Sequence, residues 1–348
     1  MRSSLKHTGT LLVAFLAVGS AVATGVHAED ALRWKFKVGE KLDYNMAQEV
    51  KMQIAGAPFP QPIVTNVTQE MEMTWEVLGV DDKSGEGVIR QKFERIKMKM
   101  DSPIGPLDYD SQSEEPPTGL AANIAPVYKA MTQGEFEITM TARGEVKDVK
   151  IPEQILTALK NSPAAAQMGD MATSDGFKKM ISQGALVLPE AAPKKGDTWS
   201  TKVDMKNPAV GKQSMETTYR YEGTKDIKGN MFAVIKPSLK MEFEQPAAGA
   251  KGEPQQPAAQ QVAQASIKEQ SSGGEVLFNM TAGRLQSTNL QQHVVISTTA
   301  AGQGIEQKID QKIDVTVTPA GEKKGEPKKS AEAPKPAASA EKSASDNK

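Results

Sequence analysis

From residue 68 onward apolar and polar residues alternate, and Met71, Met73, Trp75 and Val77 fall on one face. A period of two marks a half-buried strand. A polar, glycine-bearing stretch over 79–87 follows, then another apolar run, so residues 68–100 read as a hairpin. A diverged version returns at 212–243, with Met215, Thr217, Tyr219 and Tyr221 on one face and the turn over 223–229. Gln69, Met71, Thr74, Trp75, Gly79 and Gly85 match Gln213, Met215, Thr218, Tyr219, Gly223 and Gly229 at one offset. Ile96, Met98 and Met100 match Leu239, Met241 and Phe243 at an offset one residue smaller. The alternation changes parity between Phe93 and Ile96, which predicts an inserted bulge residue near Glu94 and Arg95.

Two further blocks recur in the same order. GEFEITMTARGEV at 134–146 pairs with GEVLFNMTAGRL at 274–285, each a strand, a tight turn at Arg143-Gly144 or Ala282-Gly283, and a second strand. KVGEKLDYNM at 37–46 pairs with KKGDTWSTKV at 194–203. The chain therefore reads as a tandem duplication of an antiparallel β module. The first copy has the longer loop between its first two strands, holding AGAPFPQPIV over 55–64. Leu32, Trp34 and Phe36 predict a short opening strand over 31–36. Within the first repeat, apolar spacing predicts helices at about 119–132, with Pro126 interrupting or opening a turn, 152–161 and 174–184. The boundary between copies falls near Pro189. The expected organisation is a first repeat over 29–188 and a second over 189–318. Residues 245–265, rich in Pro, Ala, Gln and Gly, read as a disordered insertion, and 319–348 as a disordered tail. The fold class expected is mainly β (α+β), two tandem homologous antiparallel halves, curved or half-barrel, with a few short helices.

Residues 1–28 change the compartment. Arg2 and Lys6 precede the run LLVAFLAVGSAVA, and Val26-His27-Ala28 follows as an A-x-A-like site, the pattern of a signal peptide. The run is short for a permanent anchor, so the chain is expected to be exported, periplasmic or extracellular, and not membrane-spanning. The formal net charge of −1 argues against a nucleic-acid partner. With no cysteine there are no disulfides and no thiolate chemistry.

Candidate chemistry is sparse. Asp108, Asp110, Glu114 and Glu115 lie in an acidic stretch that lacks the glycine and terminal glutamate of a calcium loop, and a solvated loop explains them. His293 sits inside an expected strand with no partner spacing to mark it as a base or ligand. No nucleophile elbow, zinc motif, phosphate loop or dinucleotide fingerprint occurs. No catalytic, metal or cofactor residue is assigned. The expectation is a non-enzymatic protein, and a hydrolase with dispersed carboxylates is the remaining enzymatic reading.

The 17 methionines are the unusual feature, many of them in predicted strands. Flexible thioethers either fill an irregular core beneath a curved sheet or line a cavity for an acyl chain or another apolar ligand. On the second reading the ligand-binding residues are Met71, Met73, Trp75, Phe93, Met98, Met100, Met215, Tyr219 and Met241. LRWKFKVGEKLDYNM, LPEAAPKKGDTW and the two M-T-A hairpins resemble a family of secreted bacterial proteins described only as a domain of unknown function. More remotely, the meander is similar to the half-barrel of periplasmic lipoprotein carriers and related lipid binders. The resemblance implies a secreted β-rich protein and supplies no active site. The partner expected is an apolar small molecule or an envelope component. A structural or protein-interaction module of the cell envelope is the alternative.

Overall fold

The computed structural model describes residues 31–56, 59–162, 173–207, 211–244, 264–300 and 303–321. The expected signal peptide, most of the 245–265 insertion and the tail beyond 321 lie outside these residues. The protein is mostly β. In chain order the strands are β1 Lys41–Gly56, β2 Ile63–Val80, β3 Gly87–Asp101, β4 Leu107–Asp110, β5 Glu135–Met140 and β6 Val146–Lys150, then β7 Thr198–Asn207, β8 Gly211–Ile227, β9 Asn230–Glu244, β10 Gln264–Asn279, β11 Arg284–Ala300 and β12 Gln303–Pro319. Three short helices among the described residues are α1 Leu120–Gln133, α2 Glu153–Lys160 and α3 Ser174–Gly184.

All the strands belong to one open antiparallel sheet with the order β6-β5-β3-β2-β1-β12-β11-β10-β9-β8-β7, and β4 pairs with β3 beside it. The strand order of residues 41–150 thus repeats over 198–300. β12 joins the two runs, pairing with β1 on one side and β11 on the other. Register repeats as well. Leu42 faces Trp75 across β1 and β2, and Trp199 faces Tyr219 across β7 and β8. Leu78 is skipped between the pairs Val77–Ile89 and Gly79–Val88, and Glu222 between Tyr221–Ile235 and Gly223–Val234. The expected bulge in β3 falls at Glu94, skipped between Glu72–Arg95 and Met73–Phe93.

The structure corrects several sequence expectations. By ladder position Ile96, opposite Met71, is equivalent to Met241, opposite Met215, and not to Leu239. A slip of two residues keeps every side chain on its face, so alternation alone cannot detect it. Ala55, Gly56, Ile63 and Val64 belong to β1 and β2 rather than to the loop. Gln264 and Ala265 open β10, and Ala265 is buried, because Ile296 and Val294 supply an apolar partner face there. Pro319 ends β12 instead of starting a tail. α1 runs through Pro126 without a break.

Residues 31–36 are extended but form no ladder. The Trp34 N–H donates to Ala142 O at 2.8 Å in the first half, and the Lys35 N–H to Gly283 O at 2.9 Å in the second. The segment ties together the two M-T-A turns. Its Trp34 indole donates to Leu186 O at 3.1 Å, so the connection between the halves is fixed to it too. Gly144 permits this approach: its φ is +93°, and a Cβ there would meet Leu186 O at 2.1 Å and Trp34 Nε1 at 2.6 Å. Around Trp34 a core forms from both halves, with Ile89 and Met140 packed in one cluster with Tyr221, Ile235 and Phe278. That cluster brings strands from the two flanks of the sheet together.

Candidate functional site

Side chains in a sheet alternate between its faces, and the ladder pairs place them in rows. On the core face one row runs Met73 (β2), Tyr44 (β1), Val317 (β12), and another runs Met71, Met46, Val315. α1 packs on β3 and β4, and α3 packs on β6 and β7, the two strands at the open edges of the sheet. The helices thus cover the flanks of this face. Along the central strands Met46, Val50 and Met52 of β1, Ile309 and Ile313 of β12 and Leu290 of β11 remain half-buried.

The nine residues expected to bind a ligand share this face, but the fold treats them differently. Phe93 is buried with Phe136 and Phe177, and Met71 and Met73 pack against that cluster under the helices. Met98 and Met100 pack against Leu107, Tyr109 and α1, and the Tyr128 hydroxyl donates to the Met98 sulfur at 3.4 Å. Trp75 lies in the central core, its indole donating to Gln91 Oε1 at 3.0 Å, and Tyr219 is buried there. Met215 accepts from Gln183 Nε2 of α3 at 2.7 Å and faces Met241 across β8 and β9. Seven of these residues are therefore packed into clusters, and only Met215 and Met241 stand outside them.

A concavity of about 830 Å³ lies on the other face, over β2, β1, β12, β11 and β10. One row lining it is Asn66, Lys51, Asp310, His293 and Ser271, successive partners across the five strands. The next is Thr68, Glu49, Lys312, Gln291 and Gly273. Both rows point away from the core. His293 Nδ1 lies 2.7 Å from Asp310 Oδ1, and its Nε2 lies 4.0 Å from Glu269 Oε2. Asp310 thereby fixes the orientation of the ring. Sequence reading missed this pair because its partners are neighbours only through the β11–β12 register; counting outward from the Ala-Gly at 301–302 was the signal available.

Other candidate groups are already engaged. Asp110 accepts from Arg95 Nε at 3.0 Å, and this bond to the guanidinium holds its carboxyl below the usual aspartate range. Asp108 pairs with Lys99 at 3.3 Å. Among the described residues no three His, Cys, Asp or Glu side chains converge in a way that could hold a metal ion. No helix among them is long and apolar enough to cross a membrane, which says nothing of strands. Burial pushes the Tyr44 phenol well above the usual tyrosine range, with Arg284 partly opposing it.

Residues 85–245, just under half of the chain and spanning β3 to β9, match a family described only as a family of unknown function, DUF6263. No curated protein matches the sequence. Among solved structures, the chain is similar to one describing lipid–protein interactions in lipovitellin, with TM-score 0.41, 11% identity, 82% of this chain and 26% of that one covered. This chain therefore spans about a quarter of that protein's length. It is also similar to an outer membrane channel from Pseudomonas putida F1, with TM-score 0.24, 9% identity, and 83% and 98% of the two chains covered. A third, a DUF1329 family protein from Desulfovibrio piger, has TM-score 0.13, 10% identity, and 80% and 86% coverage. At these scores none assigns a function.

Proposed function

We propose that this is an exported, non-enzymatic binding protein whose ligand is an apolar chain lying along the central strands of the core face. The observation that carries this reading is the half-buried set Met46, Val50, Met52, Ile309 and Ile313, interleaved on the same face with Gln48 and Gln311, with Ile309 packed against Val294 and Ile296, and flanked rather than roofed by α1 and α3. Thioethers suit such a surface, because they repack around chains of different shape. Burying an acyl chain against it contributes about 25 cal/mol per Å² of apolar area removed from water. The buried members of the sequence-derived set act from beneath, as the packed floor that gives the strip its shape. Met215 and Met241 extend it toward β8 and β9. The alternative of an envelope interaction module needs an exposed sheet edge or apolar patch; α3 packing on both edge strands weighs against the edge form of it.

The test is titration of laurate and of an anilinonaphthalene dye into the full chain, followed by native mass spectrometry. Saturable uptake is expected, weakened by about tenfold or more in Ile309→Asp, which places a charge in the strip. Absence of saturable uptake, together with an empty chain in the mass spectrum, overturns the proposal.

A further inference from the structure

We infer that the concavity on the polar face is a second binding site, for an uncharged, hydroxyl-rich ligand of the oligosaccharide class. Its volume of about 830 Å³ is within the range of small-molecule sites. Among its lining residues only Val50 and Val67 are large and apolar, and alternation turns their side chains toward the core face, so a ligand meets mainly polar side chains and backbone. Its four permanently charged groups alternate in sign along the ladder, with Lys51 beside Asp310 and Glu49 beside Lys312. Neighbouring opposite charges neutralise each other, so neither a polyanion nor a polycation gains a long-range field here. What remains for a ligand is directional hydrogen bonding. Asn66, Thr68, Ser271 and Gln291 present amides and hydroxyls on strands spaced about 4.8 Å apart, and a neutral polyol offers matching donors and acceptors.

Two details distinguish this surface from an ordinary solvated sheet face. Asp310, 2.7 Å from Nδ1, orients the His293 ring, so Nε2, with Glu269 4.0 Å away, is the edge that a ligand meets. Gly273 then leaves a gap in the second row. It has ordinary extended backbone, and a Cβ there would meet nothing within 4 Å, so packing does not require a glycine. The missing side chain keeps the concavity open at the β10 side. Its neighbour Gly274 differs: a Cβ there would meet Asn289 O at 2.0 Å.

The experiment titrates chitohexaose and maltohexaose into the full chain, following binding by calorimetry and the His293 ring resonances by NMR, with sulfated heparin hexasaccharide and laurate as controls. Saturable binding of a neutral probe that moves the His293 signals is expected. Gly273→Trp, whose Cβ enters open space, and Gln291→Trp on the facing position should each weaken it by about tenfold or more. Laurate uptake should be unchanged in Gly273→Trp, which separates failure here from failure of the apolar-strip reading. The inference is overturned by lack of saturation with either neutral hexasaccharide, by binding that survives both tryptophan variants, or by preference for the sulfated probe.

Discussion

The hydroxyl of Tyr44 is buried between Trp75, whose ring centroid lies 4.5 Å away, and Val317, and it has no hydrogen-bond partner among the described residues. An unpaired buried hydroxyl costs about 1–3 kcal/mol. Tyr44→Phe keeps the ring packing and removes that cost, so the variant should be as stable as the parent or more stable by about 1 kcal/mol in urea melts near neutral pH. The sign of the pH dependence follows from burial, which raises the phenol's pKa in the folded state. Tyr44 then contributes stability in full below the unfolded value near 10 and loses it as pH rises beyond. The advantage of Tyr44→Phe should therefore widen between pH 8 and pH 11. A stability difference that stays flat over this interval would show that the hydroxyl reaches water in solution instead of staying buried. Alternation put Tyr44 on a strand face, but not beneath Trp75, because a period of two says nothing of what lies across the face.

The β2–β3 and β8–β9 hairpins share a skipped residue beside the turn, Leu78 and Glu222, and differ in the turn itself and further along. Lys228 and Gly229 both have positive φ, so a two-residue turn closes the second, whereas the first uses a longer turn in which Asp81 Oδ1 accepts from the Ser84 N–H at 2.7 Å. Glu94 is the clearest difference, since β9 passes the equivalent point without a skipped residue. Its side chain is exposed, and the flanking pairs Glu72–Arg95 and Met73–Phe93 become consecutive if it is removed. Deleting Glu94 should thus leave a regular ladder and cost about 1 kcal/mol or less. Deleting Lys97, three residues on, instead turns Met98 and Met100 away from α1 and should unfold the hairpin. Far-UV circular dichroism with urea melts of both deletions checks this pair of outcomes; equal damage from both would mean that the bulge supplies a twist the sheet requires. The parity change between Phe93 and Ile96 made this bulge legible. The true equivalence of Ile96 with Met241 was not, since methionine, leucine and isoleucine serve equally on an apolar face.

Across the whole molecule one cluster holds the two halves together. Trp34 touches Phe36 and Trp75 of the first half and Phe278 of the second, and its segment is hydrogen-bonded to turns from each. Trp34→Ala should cost about 3–5 kcal/mol, the range for truncating a large buried aromatic. Because the cluster is shared, hydrogen exchange should show β3 and β9 amides losing protection together, not one half before the other. Loss of protection confined to either strand would show that the halves fold as separate units and that the shared core is secondary.

Local pattern was enough to determine the long strands, the glycine turns, the three helices, the bulge at Glu94 and the face of most side chains. These depend on backbone geometry over a few residues, which periodicity records. The same pattern read β4 as part of an acidic loop and expected a strand over 31–36 that forms no ladder. Only the tertiary structure decided what meets each face. It brought β12 between β1 and β11, seated α3 against both edges of the sheet, and carried Trp34 to Gly144 and to the turn at Gly283. It also sealed Phe93 and Tyr219 into cores while leaving Met52 and Ile309 half-exposed, and gathered Lys51, Asp310, His293 and Ser271 into one row. Those contacts join residues tens to hundreds of positions apart, and the alternation that assigns a residue to a face is the same whether that face meets a helix, a partner strand or solvent.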